Sequence, residues 1–279
     1  MSSTRALVWW WTFAISVVPL VADAATTRYQ ARITQGAPVL YYQFNESSGA
    51  ALNHGSLGPG HNASYLGSPT RQAATLGGDT GVAFDAGDDY LESLGVAPAS
   101  LTGNPTFSAE VLFSVPASGM CGLWAPILHW GPSPGGNATA QSVYFSFSGN
   151  DPSAAFAGFY NGGQKTPTGA MPLGRWHHLI WVRVGGGTAL VGNTVYLDGV
   201  DVTATLVPDP GLPANGLTPI VGATEFRVNR ARDSDGSRFF TGTIDELALY
   251  DRALSPQEAL DHFREALGDV FKDGFEQGP

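Results

Sequence analysis

Phe240-Thr-Gly-Thr-Ile-Asp-Glu-Leu-Ala-Leu-Tyr-Asp-Arg-Ala-Leu-Ser-Pro-Gln-Glu258 is the stretch on which the fold turns. Its first half, 239–250, reads as a closing β-strand. Strict alternation puts Asp245, Leu247 and Leu249 on one face and Ile244, Glu246, Ala248 and Tyr250 on the other. An acid among leucines must be hydrogen-bonded or coordinated, because a bare buried carboxylate is expelled or protonated. That argument singles out Asp245. The second half starts a helix: Ser255 can accept a bond from a free backbone amide, Pro256 suits the first helical position and Glu258 completes a capping box. Leu260, Phe263 and Leu267 then share one face, and Gly268 closes the helix.

Upstream of this stretch, short β-branched and aromatic runs alternate with turn residues, as in an antiparallel sandwich. Thirty-six Gly and nineteen Pro supply the punctuation. Strands are expected at 39–44, 81–84, 90–94, 106–115, 126–130, 143–148, 154–160, 177–184, 194–197 and 219–221, with no helix among them. Asp198-Gly199 between apolar runs predicts a type I′ hairpin, whose two central residues must tolerate positive φ. In His177-His-Leu-Ile-Trp-Val-Arg183 both faces are largely apolar, so this strand is central and covered on each side.

The chain carries 14 Lys and Arg against 24 Asp and Glu, a formal charge of -10, opposite to the basic footprint that a nucleic acid or an anionic membrane requires. The single cysteine, Cys121, closes no intrachain disulfide. Residues 1–24 read as a signal peptide: Arg5, an apolar run from Ala6 to Val21 broken by Pro19, then Ala22-Asp23-Ala24. The run is shorter than the roughly 20 residues a membrane span needs, and no later stretch is apolar enough to span. The expected organisation is a signal peptide at 1–24, one domain at 25–268 and a loosely held acidic-aromatic tail at 269–279, in a secreted, periplasmic or extracellular protein.

Six pieces then stand in a familiar order: Tyr42-Gln-Phe-Asn-Glu, Gly81-Val-Ala-Phe-Asp, Thr106-Phe-Ser-Ala-Glu, Gly174-Arg-Trp-His-His, Val195-Tyr-Leu-Asp-Gly and the closing stretch quoted above. Together they resemble a laminin-G-like jelly roll of the concanavalin A-like lectin/glucanase superfamily. The resemblance implies an all-β, antiparallel two-sheet jelly-roll sandwich with one short C-terminal helix. Its concave face or loop rim would bind glycans or proteins, sometimes with calcium, and only some branches of the family are enzymes. The tail Phe271-Lys-Asp-Gly-Phe-Glu is similar to short tails on exported bacterial proteins.

No motif for bond cleavage stands out. The Glu-x-Asp-x-Glu strand of the family's glucanase branch is missing, and Asp245 and Glu246 are expected on opposite faces. A polysaccharide lyase could draw on His177 or His178 with Tyr160 and Arg183, although unpatterned histidines are more often structural. For Ca²⁺, which asks for six to eight hard oxygens, the loops holding Asp85 and Asp88 and holding Asp233 and Asp235 qualify by composition, with Asp245 as a further ligand. The competing reading of the second loop is an Asp-Gly turn neutralised by Arg230, Arg232 and Arg238. For a ligand surface, Trp124, His129 and Trp130 sit in turn-rich sequence, and Tyr160, Asn161 and Gln164 flank a Gly-Gly turn. The sequence thus points to a non-catalytic binding or adhesion module for a glycan or an extracellular protein, with a lyase or glycosidase and a structural envelope protein as rivals.

Overall fold

A computed structural model describes residues 27–85, 87–132, 142–160, 162–208, 223–232 and 238–271. The signal-peptide segment, the expected strand at 219–221 and the last residues of the tail lie outside them. Two antiparallel sheets stack face to face. The first runs, edge to edge, β13 (Val200–Asp201), β12 (Asn193–Leu197), β11 (Trp176–Arg183), β6 (Phe107–Ser114), β16 (Gly242–Tyr250), β4 (Thr80–Phe84) and β3 (Thr70–Ala74), and β1 (Leu40–Tyr42) also pairs with β16. The second runs β14 (Val207–Pro208), β10 (Gly162–Lys165), β9 (Asp151–Phe159), β8 (Val143–Ser148), β7 (Pro126–Trp130), β15 (Glu225–Val228), β5 (Tyr90–Val96) and β2 (Ala63–Leu66).

The space between the sheets is filled by rings. Trp181 meets Phe107 edge to face at 4.9 Å between centroids and Phe159 at 5.9 Å, and Phe107 meets Trp130 at 5.1 Å. β11 behaves as its sequence predicts: Leu179 and Trp181 enter this core, while Ile180 and Val182 enter a second apolar cluster on the opposite side. That second cluster is the underside of two helices, α1 (Arg28–Gln35) and α2 (Pro256–Phe271), which lie on the first sheet. A helical layer therefore covers the outer face of the first sheet.

The helices carry two departures from the sequence reading. α1 was not expected, yet Thr27 and Gln30 form a complete capping box at its start, and Tyr29 and Ile33 bury its inner face. α2 opens with the expected box, in which the Glu258 amide donates to Ser255 Oγ at 3.2 Å and the Ser255 amide to Glu258 Oε2 at 2.8 Å. It does not stop at Gly268, however, and its buried line is Ala259, His262 and Ala266, with Leu260 and Phe263 half-buried beside it. Small residues let the helix sit close to the sheet, and one polar side chain reaches through it. Leu267 falls outside the described side chains. No helix among the described residues is long and apolar enough to cross a membrane.

The Asp198-Gly199 hairpin takes the predicted geometry, with φ +50° and +75°. Gly199 also lies under α2: a Cβ there would meet the Phe263 ring, with Cγ only 2.7 Å away. Gly199→Ala combines positive-φ strain with a clash, so a stability loss of about 2 kcal/mol is expected. A chemical-denaturation midpoint within error of wild type would show that the turn relaxes.

Candidate functional site

Among the described residues no helix lies on the outer face of the second sheet, and strand register lines up one row of side chains across it. Glu92 on β5 pairs with Arg227 on β15, Arg227 with His129 on β7, His129 with Tyr144 on β8, Tyr144 with Gly158 on β9 and Gly158 with Gly163 on β10. An acid, a base, an imidazole, a phenol and two bare glycines thus stand shoulder to shoulder. Arg227 Nε donates to Glu92 Oε2 at 2.5 Å, and Arg232 Nη2 donates to Glu92 Oε2 at 3.2 Å and to Glu225 Oε2 at 2.5 Å. Tyr90 flanks this end, with the Arg227 and Arg230 guanidinium carbons 5.5 and 5.2 Å from its ring centroid. At the other end, Tyr144, Phe156 and Ala231 pack with the half-buried Trp124 and Tyr160.

His129 is the odd member. Its side chain is wholly buried, stands edge to face with Tyr144 at 4.8 Å, and leaves both ring nitrogens without a hydrogen bond. Burial first, then the charges of Arg227, Arg232 and Arg238, push its pKa down to about 3, so the ring is neutral in ordinary buffers.

The residues singled out from sequence are only partly assembled here. Trp124 and Tyr160 reach this face half-buried, with Arg238 stacked 5.8 Å from the Trp124 ring centroid. Trp130 does not: it is fully buried between the sheets, where its indole donates to the Leu101 carbonyl at 3.0 Å. Gln164 also turns away from the row, its carbonyl accepting from Asn193 of the first sheet at 3.0 Å. Asn161, Asp233 and Asp235 lie outside the described residues. The lyase constellation does not converge. His177 is bonded to Asp198 and the Pro172 carbonyl at the first sheet, His178 lies beneath α2 and Arg183 is buried at a loop, while Tyr160 is on the far sheet.

The acids of the first loop are likewise spread out. Asp85 and Asp88 are exposed, and the buried Asp89 organises the turn by accepting from the Ser68 and Asp85 amides. A different set gathers beneath α1. β16 holds one extra residue against β6 between Asp245 and Ala248, and Glu246 takes φ +53°. This bulge corrects the alternation read from sequence. Ile244 joins Leu247 and Leu249 in the core, and the carboxylates of Asp245 and Glu246 come together with Asp79, with ligand oxygens within 4.8 Å of one another. Burial and the charge of Asp79 hold Asp245 well above the usual carboxylate range, and burial and Asp245 do the same to Glu246.

Nearby, Glu110 is the centre of a second buried nest. Tyr29 and His178 approach its Oε1 at 3.0 and 2.8 Å, Tyr250 donates to Oε2 at 2.9 Å, and His262 Nδ1 lies within 3.0 Å of both oxygens. Sequence reading missed this residue, although an acid in the apolar run 106–115 was the available signal.

Comparison with known proteins agrees with this architecture. Among solved structures, Trypanosoma rangeli sialidase in complex with sialic acid superposes with a TM-score of 0.55 at 15% identity, over 87% of this chain and 34% of the sialidase. Domain 4 of AbnA, a GH43 extracellular arabinanase from Geobacillus stearothermophilus in complex with arabinotriose, gives 0.52 at 16% identity over 81% of this chain and 97% of that domain. The binding domain of Paraclostridial Mosquitocidal Protein 1 gives 0.52 at 10% identity, over 82% of this chain and 52% of that one. The chain thus spans about a third of the sialidase it matches, and at these identities the likeness is one of fold. No curated protein matches the sequence. The family model of the Concanavalin A-like lectin/glucanases superfamily matches residues 85–259, more than half of the sequence, and the chain belongs to that superfamily.

Proposed function

We propose that this domain is an exported, non-catalytic binding module that takes a carbohydrate chain along the outer face of its second sheet. The observation that carries this reading is the set of half-buried groups on that face, with Tyr90, Glu92 and Arg227 at one end and Trp124 and Tyr160 at the other, over a floor of buried His129 and Tyr144. Sugars are bound by aromatic faces against their C–H surfaces and by planar charged groups against their hydroxyls, and the half-buried Tyr90, Trp124 and Tyr160 rings and the Glu92 and Arg227 groups supply both kinds. The apolar run at 6–21 supports export, and the sialidase and arabinanase neighbours support a carbohydrate over a protein ligand.

A catalytic use of the same face is less well supported. The imidazole in the row is fully buried, so it touches no substrate, and the Glu92 and Glu225 oxygens named above are already spent on arginines.

The test is a glycan array with the exported chain, followed by titration of the best hits. Trp124→Ala and Arg227→Ala should each weaken binding at least about tenfold, or ~1.4 kcal/mol, with little change in melting temperature. Unchanged affinity in both variants would move the ligand elsewhere. Silence on glycans and on cell-wall material would favour a purely structural role, and turnover of a polysaccharide would make the domain an enzyme.

A further inference from the structure

We propose that the carbohydrate taken up on the second sheet is an acidic one, and that Arg227 and Arg230, gathered on the Tyr90 ring, receive its carboxylate. The inference rests on the binding reading above and names the chemical class of the ligand.

Strand periodicity alone would scatter these arginines. In a regular strand Arg227 and Arg230 point to opposite faces, because side chains alternate. β15 ends at Val228, however, and Asn229 takes φ +62°, a left-handed turn that asparagine tolerates better than most residues. Asn229 is wholly buried and bolted in place: its side-chain amide donates to the Asp89 carbonyl at 3.0 Å, and its Oδ1 accepts from the Phe240 amide at 2.8 Å. Beyond this turn Arg230 comes back to the Tyr90 ring, 5.2 Å from its centroid, where Arg227 already stands at 5.5 Å. Arg232 returns to Glu92, the acid that Arg227 also holds.

The gathering leaves cationic donors to spare. Glu92 and Glu225 are held by Arg227 and Arg232, and among the described residues no carboxylate lies within ion-pair distance of Arg230. Its Nη1 donates to the Gly87 carbonyl at 3.0 Å, which leaves Nε and Nη2 unspent there. Arg227, bonded through Nε to Glu92 and through Nη1 to the Ala231 carbonyl at 3.3 Å, keeps Nη2. Both residues are half-buried and stacked on one ring, so little side-chain freedom is lost when a ligand arrives. The charges that act on the buried His129 ring beneath are those of Arg227, Arg232 and Arg238, so the field in this floor is positive. On a chain of formal charge -10 such a spot is local, and an acidic polymer is drawn to it and repelled elsewhere. A carboxylate matches the planar guanidinium fork with two parallel hydrogen bonds, which a neutral hydroxyl cannot make.

The experiment presents the exported chain with carboxylated glycans, each beside its methyl ester, and with neutral glycans. Esterification should weaken binding at least about tenfold, and raising NaCl from ~50 to ~500 mM should weaken the acid form as the charges are screened. Arg230→Gln, at a half-buried position whose hydrogen-bond partner is one carbonyl, should lose at least about tenfold on the acid form and leave the ester unchanged, with a melting temperature within about 2 °C of wild type. Equal affinity for an acid and its ester, or neutral glycans bound as tightly as acidic ones, overturns the inference and leaves the carbohydrate reading standing. Equal affinity of wild type and Arg230→Gln for the acid form overturns it too, and if that variant fails to fold the ester comparison in wild type decides. Binding to no glycan overturns both readings together.

Discussion

Glu110→Ala should unseat both helices, at a cost of about 3–5 kcal/mol, or roughly 10 °C in melting temperature. The carboxylate is completely buried and gathers partners from α1, β11, β16 and α2. Its removal strands two hydroxyls and two imidazoles where water does not reach. Glu110→Gln keeps the shape but turns an acceptor into an amide donor facing other donors, so it should lose less but still measurably.

The same nest sets a pH dependence. Burial alone would raise the Glu110 carboxyl, but the His262 charge and the hydrogen bonds from His178 and His262 outweigh it and hold the group well below the usual carboxylate range. Its contribution is complete above the unfolded value of about 4.3 and is lost as pH falls toward the depressed one. Burial would lower His262, but the Glu110 charge and hydrogen bond win and raise it. Its contribution is complete below about 6.5 and is lost as pH rises through the raised value. The clamp is therefore strongest between about pH 4.5 and 6.5 and weakens on either side. Urea midpoints measured upward from about pH 6.5 should slope downward as pH rises through the raised His262 value in wild type and flatten in His262→Asn. An equal slope in that variant would assign the dependence to another group.

Arg183→Leu should be about as damaging. The guanidinium is wholly buried, yet its partners are carbonyls and side-chain amides. Nη1 donates to the Thr188 and Val191 carbonyls at 2.9 and 2.5 Å and to Asn193 Oδ1 at 3.3 Å, and Nη2 to Asn104 Oδ1 and the Gly187 carbonyl at 3.2 Å each. The group also stacks 5.2 Å from the Phe159 ring centroid. Burial pulls its pKa down to about 10, which leaves it protonated at neutral pH. It acts as the plug of the 184–193 loop, holding that loop's carbonyls from inside. Removing the fork leaves the Val191 carbonyl and Asn104 Oδ1 without a donor, takes one of two donors from the Thr188 and Gly187 carbonyls and from Asn193 Oδ1, and empties a buried site, an expected loss of about 3–5 kcal/mol. Arg183→Lys should recover little, since one ammonium cannot span the set. A denaturation free energy within about 1 kcal/mol of wild type would show that water enters and replaces it.

What could be read from sequence was what local chemistry specifies. The Asp198-Gly199 turn, the Ser255–Glu258 cap and the two faces of β11 each depend on residues within a few positions of one another. α1 has only eight residues, too short to hold itself, and it forms because Tyr29 and Ile33 pack on the sheet, although Thr27 and Gln30 were a readable cap. The row on the second sheet joins residues 92, 227, 129, 144, 158 and 163, whose adjacency exists only once strand register is known. Trp130 misled because an indole in turn-rich sequence looks like a surface group, whereas β7 delivers it to the core. Asp245 was recognised as an acid in need of a partner, but period-2 counting sent Glu246 away from it. A single bulged residue invalidates that count for everything beyond it.

The bulge has a consequence for how this strand is put together. Without Glu246, β16 would still present Ile244, Leu247 and Leu249 inward and Asp245, Ala248 and Tyr250 outward, and it would run beside β6 unbroken. The inserted residue adds nothing to the inward apolar face, and its carboxyl instead takes hydrogen bonds from Tyr41 of β1 and Gln30 of α1. It is a graft, one letter long, that spoils a good ribbon and sets a second buried carboxyl beside Asp245.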